Sequence, residues 1–223
     1  MQKDDYPDLT SFEDVARHYR QNYASRAEVK MEKWFASQSL TLTEAIERAC
    51  ASVIDGKLYS HQQRPFQRWP QAPKKAADLL KPLASRIAAA RDFDDLHTII
   101  CTTLASVQGV GPLACYDIAH RIGKWLRPKL EPTEVFLHRG TREGVKALGL
   151  WANRDRAPIS DFPEGLRRSL TAAQMEDALC IYRGTLARIA GSNGQGDPKT
   201  TAHGSTRCVT APAQARASRP GRC

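Results

Sequence analysis

The chain has 223 residues, 41% of them apolar and 26% charged, with a net charge of +9. That length holds one domain of ordinary core size, alone or with a tail, and the apolar fraction excludes a wholly disordered chain. No apolar run approaches the roughly 20 residues that span a bilayer. The acidic start MQKDDYPDLTSFEDV lacks the apolar stretch of a secretory signal, so a cytoplasmic protein is expected.

Residues 1–190 read as helices joined by short loops. Thr10 with Glu13, Ser25 with Glu28 and Thr41 with Glu44 match the capping-box pattern, in which side chains satisfy free N–H groups at a helix start. Ala27, Met31, Trp34 and Phe35 form one apolar stripe at helical spacing; Ile46, Ala49, Cys50 and Val53 form another, stopped by Asp55-Gly56. A Pro-rich connector follows around LYSHQQRPFQRWPQAP. A long Ala/Leu-rich helix is expected over 73–91, disturbed by Pro82, and another begins near Asp92 with Leu96, Ile99, Ile100 and Leu104 on one face. Thr171 with Gln174 opens a last helix running to about Ala190. The one strand candidate, residues 134–137, is too short to build a sheet. The expected architecture is therefore all-α, a compact helical bundle without internal repeats.

Composition shifts at Gly191. Residues 191–223 contain no Leu, Ile, Phe, Trp or Tyr and carry five Lys/Arg against Asp197 alone. Such a segment cannot bury enough apolar area to offset chain entropy, so a disordered basic tail is expected after a helical domain over 1–190.

The six cysteines, at 50, 101, 115, 180, 208 and 223, form no C-x-x-C and no zinc-finger spacing. The first four fall at apolar positions of expected helices, as small buried hydrophobes do. No metal, phosphate-loop or serine-nucleophile motif is present, so no cofactor is called for.

Residues 104–118, LASVQGVGPLACYDI, carry the most information. They have the spacing of a helix-hairpin-helix element. A helix ends by Val107, Gly109 supplies the positive φ a tight turn needs, and Val110 plugs into the core. Gly111 allows close approach to the backbone, and Pro112 opens the next helix. The free N–H groups there, with the positive end of the helix dipole, would hold a DNA phosphate without reading bases. The same hairpin could instead pack helices or dock a protein. Charge favours a polyanion: residues 64–91 carry seven Lys/Arg against Asp78 alone, and residues 120–146 carry seven against Glu131, Glu134 and Glu143. Duplex DNA, held mainly through phosphates, is the expected partner.

The order of a helix ending in V-x-G-V-G, a helix, a short loop, V-x-x-H-R and a helix resembles the helix-hairpin-helix DNA glycosylase superfamily, which includes endonuclease III and adenine glycosylases. The likeness covers about residues 94–150. It implies a glycosylase-like fold, a hairpin contact to DNA through Gln108, Gly109, Val110, Gly111 and Pro112, and action on damaged or modified bases. The hairpin of that superfamily can also hold a monovalent cation between backbone carbonyls and a phosphate. Bifunctional members carry a Lys two residues after the second hairpin Gly; Leu113 stands there, so a Schiff-base lyase is not expected. The superfamily's catalytic Asp falls at Phe136 when VFLHR is aligned, and at Glu131, with Glu134 nearby, when counted from Gly111. YDIAHRIG (116–123), VFLHRGTREGVKALGL (135–150) and DGKLYSHQQR (55–64) are closest to phrases of an uncharacterised bacterial helix-hairpin-helix family, which contributes fold and not mechanism.

The candidate acids and bases are Glu131, Glu134, Asp117 and His138. Asp117 with Arg121 is either a carboxylate facing DNA or an ordinary i, i+4 ion pair, and Asp117 can also orient His120. Tyr116 can stack on an extruded base or lie half-buried. His61 and Arg64, in a polar loop with Tyr59, and Arg139 and Arg142, flanking an expected N-cap at Thr141, complete the candidate DNA contacts. A non-catalytic DNA-binding module and a helical protein-interaction domain are the alternatives.

Overall fold

The structure, a computed structural model, describes residues 6–54, 56–58, 63–150 and 154–193. These are mostly helical. In chain order they are α1 (Phe12–Tyr19), a π-helical segment over Arg20–Ala24, α2 (Ser25–Trp34), α3 (Leu42–Ala51), β1 (Val53–Ile54), β2 (Lys57–Leu58), α4 (Gln63–Arg68) and α5 (Ala72–Leu80). A 3-10 turn over Lys81–Leu83 leads to α6 (Ala84–Ala88), α7 (Phe93–Leu104), α8 (Pro112–Trp125), β3 (Glu134–Phe136), α9 (Arg139–Ala147) and β4 (Arg156–Pro158). A second 3-10 turn, Ile159–Asp161, precedes α10 (Glu164–Arg167), α11 (Ala172–Ile181) and α12 (Arg183–Asn193). Among the described residues, no helix is long and apolar enough to cross a membrane.

Local chemistry explains the ends. Thr41/Glu44 and Thr171/Gln174 form full capping boxes, and Asp92 caps α7 through the Asp95 N–H. Four expectations need correction. The first box is Ser11/Asp14, one residue on from Thr10/Glu13, because that register turns Val15, Ala16 and Tyr19 inward. Ser25 caps nothing, since the chain stays helical from α1 through the π segment into α2. Helix α3 stops at Ser52, in the left-handed region at φ 55°, and Gly56 instead occupies the turn of the β1–β2 hairpin. Helix α9 begins at Arg139 with His138 as N-cap, so Thr141 lies buried in its first turn.

The long helix over 73–91 is interrupted at Pro82, where a 3-10 turn divides α5 from α6. The Pro-rich connector holds the short helix α4. The last helix is two, broken at Tyr182, and α12 carries helix to Asn193, past the expected start of the tail. The tail from 194 onward lies outside the described residues, as do Tyr59 and His61.

Two apolar clusters organise the molecule. A central one joins α3, α5, α7 and α8 through Ile46, Leu80, Leu96, Ile100, Ile118 and Ile122. A second joins α1 with α9 through α12, around Val15, Tyr19, Val145, Leu166, Met175 and Tyr182. Strand β3 pairs antiparallel with β4, Val135 opposite Ala157, so 134–137 does form a minimal sheet. Successive side chains of a strand point to opposite faces. Val135 and Leu137 enter the second cluster, while Phe136 enters the central one. This strand therefore pins the two clusters together.

Candidate functional site

Helices α7 and α8 pack together, joined by a turn over 105–111. Val107 N–H donates to the Leu104 carbonyl and Val110 N–H to the Val107 carbonyl, tightening it. Gly109 has φ +95°, and a Cβ there would lie 2.7 Å from the Trp69 Cβ. Gly109 is thus required by both backbone and packing. Val110 packs on the central cluster and Gln108 is exposed. Gly111 is extended and exposed; it is the N-cap of the 14-residue α8, with Pro112 at its first turn and no side-chain cap. A Cβ on Gly111 would meet nothing within 4 Å. A shallow groove runs beside this turn, walled by Pro65, Arg68 and Trp69. Arg68 lies against the Trp69 ring, 5.6 Å from its centroid.

A larger cavity of about 600 Å³ lies where the two clusters meet, on the other side of α8. Its walls include Tyr116, Asp117, His120, Arg121 and Lys124 of α8, Glu131, Tyr19 and Phe35, and Glu176 with Asp177 of α11. Asp117 follows Pro112 by five residues, about 7.5 Å of helix rise, so turn and cavity are neighbours along one helix.

Its charges are tied down unequally. Glu131 is held by Lys124 Nζ at 2.5 Å and His120 Nε2 at 3.3 Å, from the next two turns of α8. The chain reaches it because Leu130 N–H donates to the Gly123 carbonyl, an approach only Gly permits: a Cβ on Gly123 would lie 2.4 Å from the Leu130 oxygen. Partial burial pushes the Glu131 carboxyl up, but the His120 and Lys124 side chains beside it outweigh that and hold it low. Tyr19 Oη donates to Asp177 at 2.9 Å, and Thr141 Oγ1 donates to Glu176 Oε1 at 2.6 Å. Burial, then the Asp177 charge, push Glu176 up to about 8 against the Thr141 bond. Tyr116, buried among Glu176, Asp177, Asp117 and Glu131, is raised well above the usual phenol, chiefly by burial.

Arg121 decides how Asp117 stands. It is 3% exposed, donates to the Ala49 carbonyl at 3.0 Å and Ser52 Oγ at 2.6 Å, and lies 3.7 Å from Asp117 Oδ2. It therefore satisfies the C-terminal end of α3 and holds a cation beside Asp117. Arg121→Met is expected to cost about 3 kcal/mol, because it leaves the buried Ala49 carbonyl and Ser52 hydroxyl without their guanidinium donor and removes the cation beside Asp117. Urea unfolding checks this; a loss below 1 kcal/mol would contradict the assigned role.

Glu176 makes a pH signature. Its folded pKa is raised above the unfolded value of 4.5. The folded chain then binds more protons between pH 4.5 and about 8, so this group's stabilisation is full below 4.5 and is lost as pH rises through 8. Glu176→Gln, which keeps the Thr141 acceptor, is expected to gain Tm relative to the parent from pH 5 to pH 8.5. A pH-independent difference would remove the protonated carboxyl from the argument.

The cavity thus gathers Asp117 and Glu131, with His120 and Tyr116. Glu134 and His138 are not among its walls. Glu134 is half-buried opposite Pro158, and His138 caps α9 and packs 5.2 Å from the Tyr116 ring. Phe136 is 4% exposed and contacts Phe93, His97 and Tyr116. Arg139 is exposed at the start of α9, and Arg142 is paired with Asp155; neither lines the groove or the cavity. The side chain of Arg64, like His61, falls outside the described residues, but its neighbour Arg68 lines the groove. Sequence reasoning missed Glu176, Asp177 and Arg68. The signal for Glu176 was a carboxylate beside the Ala172, Met175, Ala178 and Leu179 stripe of α11. Among the described residues, no group of three or more His, Cys, Asp or Glu is placed to hold a metal.

No family model, curated protein or solved structure matches this chain.

Proposed function

We propose that the protein binds duplex DNA without sequence preference through the 105–111 turn, as a helix-hairpin-helix element on a glycosylase-like scaffold. The observation that carries this reading is the start of α8. Its first-turn N–H groups have no side-chain cap, open space lies where a Gly111 side chain would be, and Arg68 stands beside them. A phosphate would complete those hydrogen bonds and meet the positive end of the helix dipole. A monovalent cation at the turn would use carbonyls such as that of Val107, which keeps one lone pair beyond its bond from Val110.

In this reading the cavity receives an extruded damaged or modified base. Its carboxylates suit two roles. Glu176, protonated at neutral pH, would donate a proton to the departing base. Asp117, 3.7 Å from the Arg121 guanidinium, would stabilise the sugar cation and take a proton from the water that adds at C1′ as the C1′–N bond breaks. One carboxyl that donates a proton and a second that faces the sugar are the two parts such acid–base work requires. A non-catalytic DNA-binding module is the second reading; it is favoured by Phe136, a buried apolar anchor where the resembled family carries its Asp.

The test is binding of the full chain to intact duplex and to duplex with an abasic-site analogue over a salt series, followed by excision assays on a lesion panel. Steep salt dependence with preference for the analogue supports the first reading, and excision abolished by Glu176→Gln and Asp117→Asn supports its chemistry. Salt-dependent binding without excision supports the second. Absence of salt-sensitive binding overturns both and points to a protein partner.

A further inference from the structure

A different cluster lies between α7 and α8, outside both the groove and the cavity. Cys115 of α8 and Cys101 of α7 share the central apolar cluster, and each is the largest influence on the other's thiol, drawing Cys101 down and pushing Cys115 up. His97 Nε2 is 3.2 Å from Cys101 Sγ, one turn earlier on α7. The other ring nitrogen, Nδ1, is 3.8 Å from the same sulfur, and its second neighbour settles the imidazole's tautomer. Arg156 Nη2 lies 3.4 Å from His97 Nδ1, and a guanidinium can only donate. Nδ1 therefore accepts, and Nε2 carries the proton that faces sulfur. Arg156 is itself fixed by an ion pair with Asp94 and by lying 4.2 Å over the Phe136 ring. Cys101 is partly exposed, whereas Cys115 is buried. A small reagent arriving from solvent meets Cys101 first.

We propose that Cys101 is a peroxide-reactive thiolate and Cys115 its resolving thiol, so that hydrogen peroxide closes a disulfide between α7 and α8. In the first step the Cys101 sulfur attacks one peroxide oxygen. An S–O bond forms, the O–O bond breaks, hydroxide leaves, and sulfur is oxidised to the sulfenic acid while peroxide is reduced. In the second, Cys115 sulfur attacks Cys101 sulfur. An S–S bond forms, the S–O bond breaks, and the hydroxyl departs with the Cys115 proton as water.

The surroundings support the thiolate. The neighbouring Cys115 and His97, with the nearby Arg156 charge, bring the Cys101 thiol down to about 5 against partial burial. Cys50, by contrast, is pushed up to about 12 by burial. Three features meet at one sulfur: a guanidinium-oriented imidazole, a neighbouring thiol and partial exposure. Reactive cysteines have this environment, and inert structural ones do not.

The test uses the full reduced chain. Trypsin leaves both cysteines on one peptide, residues 92–121. After hydrogen peroxide that peptide should be lighter by two hydrogens and resist N-ethylmaleimide. In Cys115→Ser, oxidation should stop at a sulfenic acid that dimedone captures on Cys101; in Cys101→Ser, Cys115 should remain a thiol. Before any variant is made, iodoacetamide at pH 7 should label Cys101 about tenfold faster than the partly exposed Cys180, and His97→Gln should abolish most of that advantage. Labelling of Cys101 no faster than Cys180, or peroxide oxidation that leaves peptide 92–121 unchanged, would overturn the proposal.

Discussion

Gly111→Glu is expected to lower affinity for duplex DNA at least about tenfold while leaving Tm unchanged. The two halves of this result have separate causes. Stability is spared because Gly111 is extended rather than left-handed, is exposed, and has nothing within 4 Å of where a Cβ would be. Affinity falls because a carboxylate at the N-cap can itself accept from the first-turn N–H groups, the bonds a phosphate would make. It also places negative charge against the backbone, and one lost phosphate contact of this kind is worth about 1–3 kcal/mol. Gly109→Val is the contrasting variant. There the left-handed φ of +95° and the Trp69 ring both exclude a side chain, so fold and binding should fall together. Binding isotherms at several salt concentrations, with thermal melts of the same samples, separate the two. A Gly111→Glu protein that binds as tightly as the parent would move the DNA site away from this turn.

Phe136→Asp should lose most of the folded state. The alignment that motivates it is the resemblance itself, which puts a catalytic Asp at this position. In the structure the ring is 4% exposed, 4.8 Å from both Tyr116 and His97 and 5.7 Å from Phe93. Removing such a ring typically costs about 3–5 kcal/mol. A carboxylate left in its place adds a desolvation cost, and Arg156, the nearest cation, is already paired with Asp94. Set against the 5–15 kcal/mol typical of whole domains, this is most of the stability. Phe136→Ala isolates the cavity part. Circular dichroism and urea unfolding report the outcome. If Phe136→Asp folded normally and gained base excision, the packing argument and the assignment of the cavity to Asp117 and Glu176 would both fail.

Much of the local structure is legible along the chain because it depends on neighbours in sequence. The Thr41 and Thr171 capping boxes, the break at Pro82 and the positive φ of Gly109 each follow from one residue's chemistry acting within a single turn. The errors of register at Ser11, Ser25 and His138 arise where several residues offer the same local chemistry and packing chooses among them. Burying Val15 and Tyr19 selects Ser11, and burying Thr141 against Glu176 moves the start of α9 back to His138.

The candidate site divides the same way. Residues 104–118 announce the turn in one unbroken segment, so composition and spacing sufficed to find it. The cavity joins α8 to α11 across more than fifty residues of sequence, and Glu176 becomes a protonated acid only because α11 buries it beside Asp177. The Cys101–His97–Arg156 arrangement likewise needs β4 to come alongside α7. By itself, then, the sequence determined most of the helices, the caps at Thr41 and Thr171 and the positive-φ turn at Gly109, since those are short-range hydrogen-bonding and steric problems. Only the tertiary structure decided which charges lose water and which thiols meet, because desolvation and long-range contact have no signature in neighbouring residues.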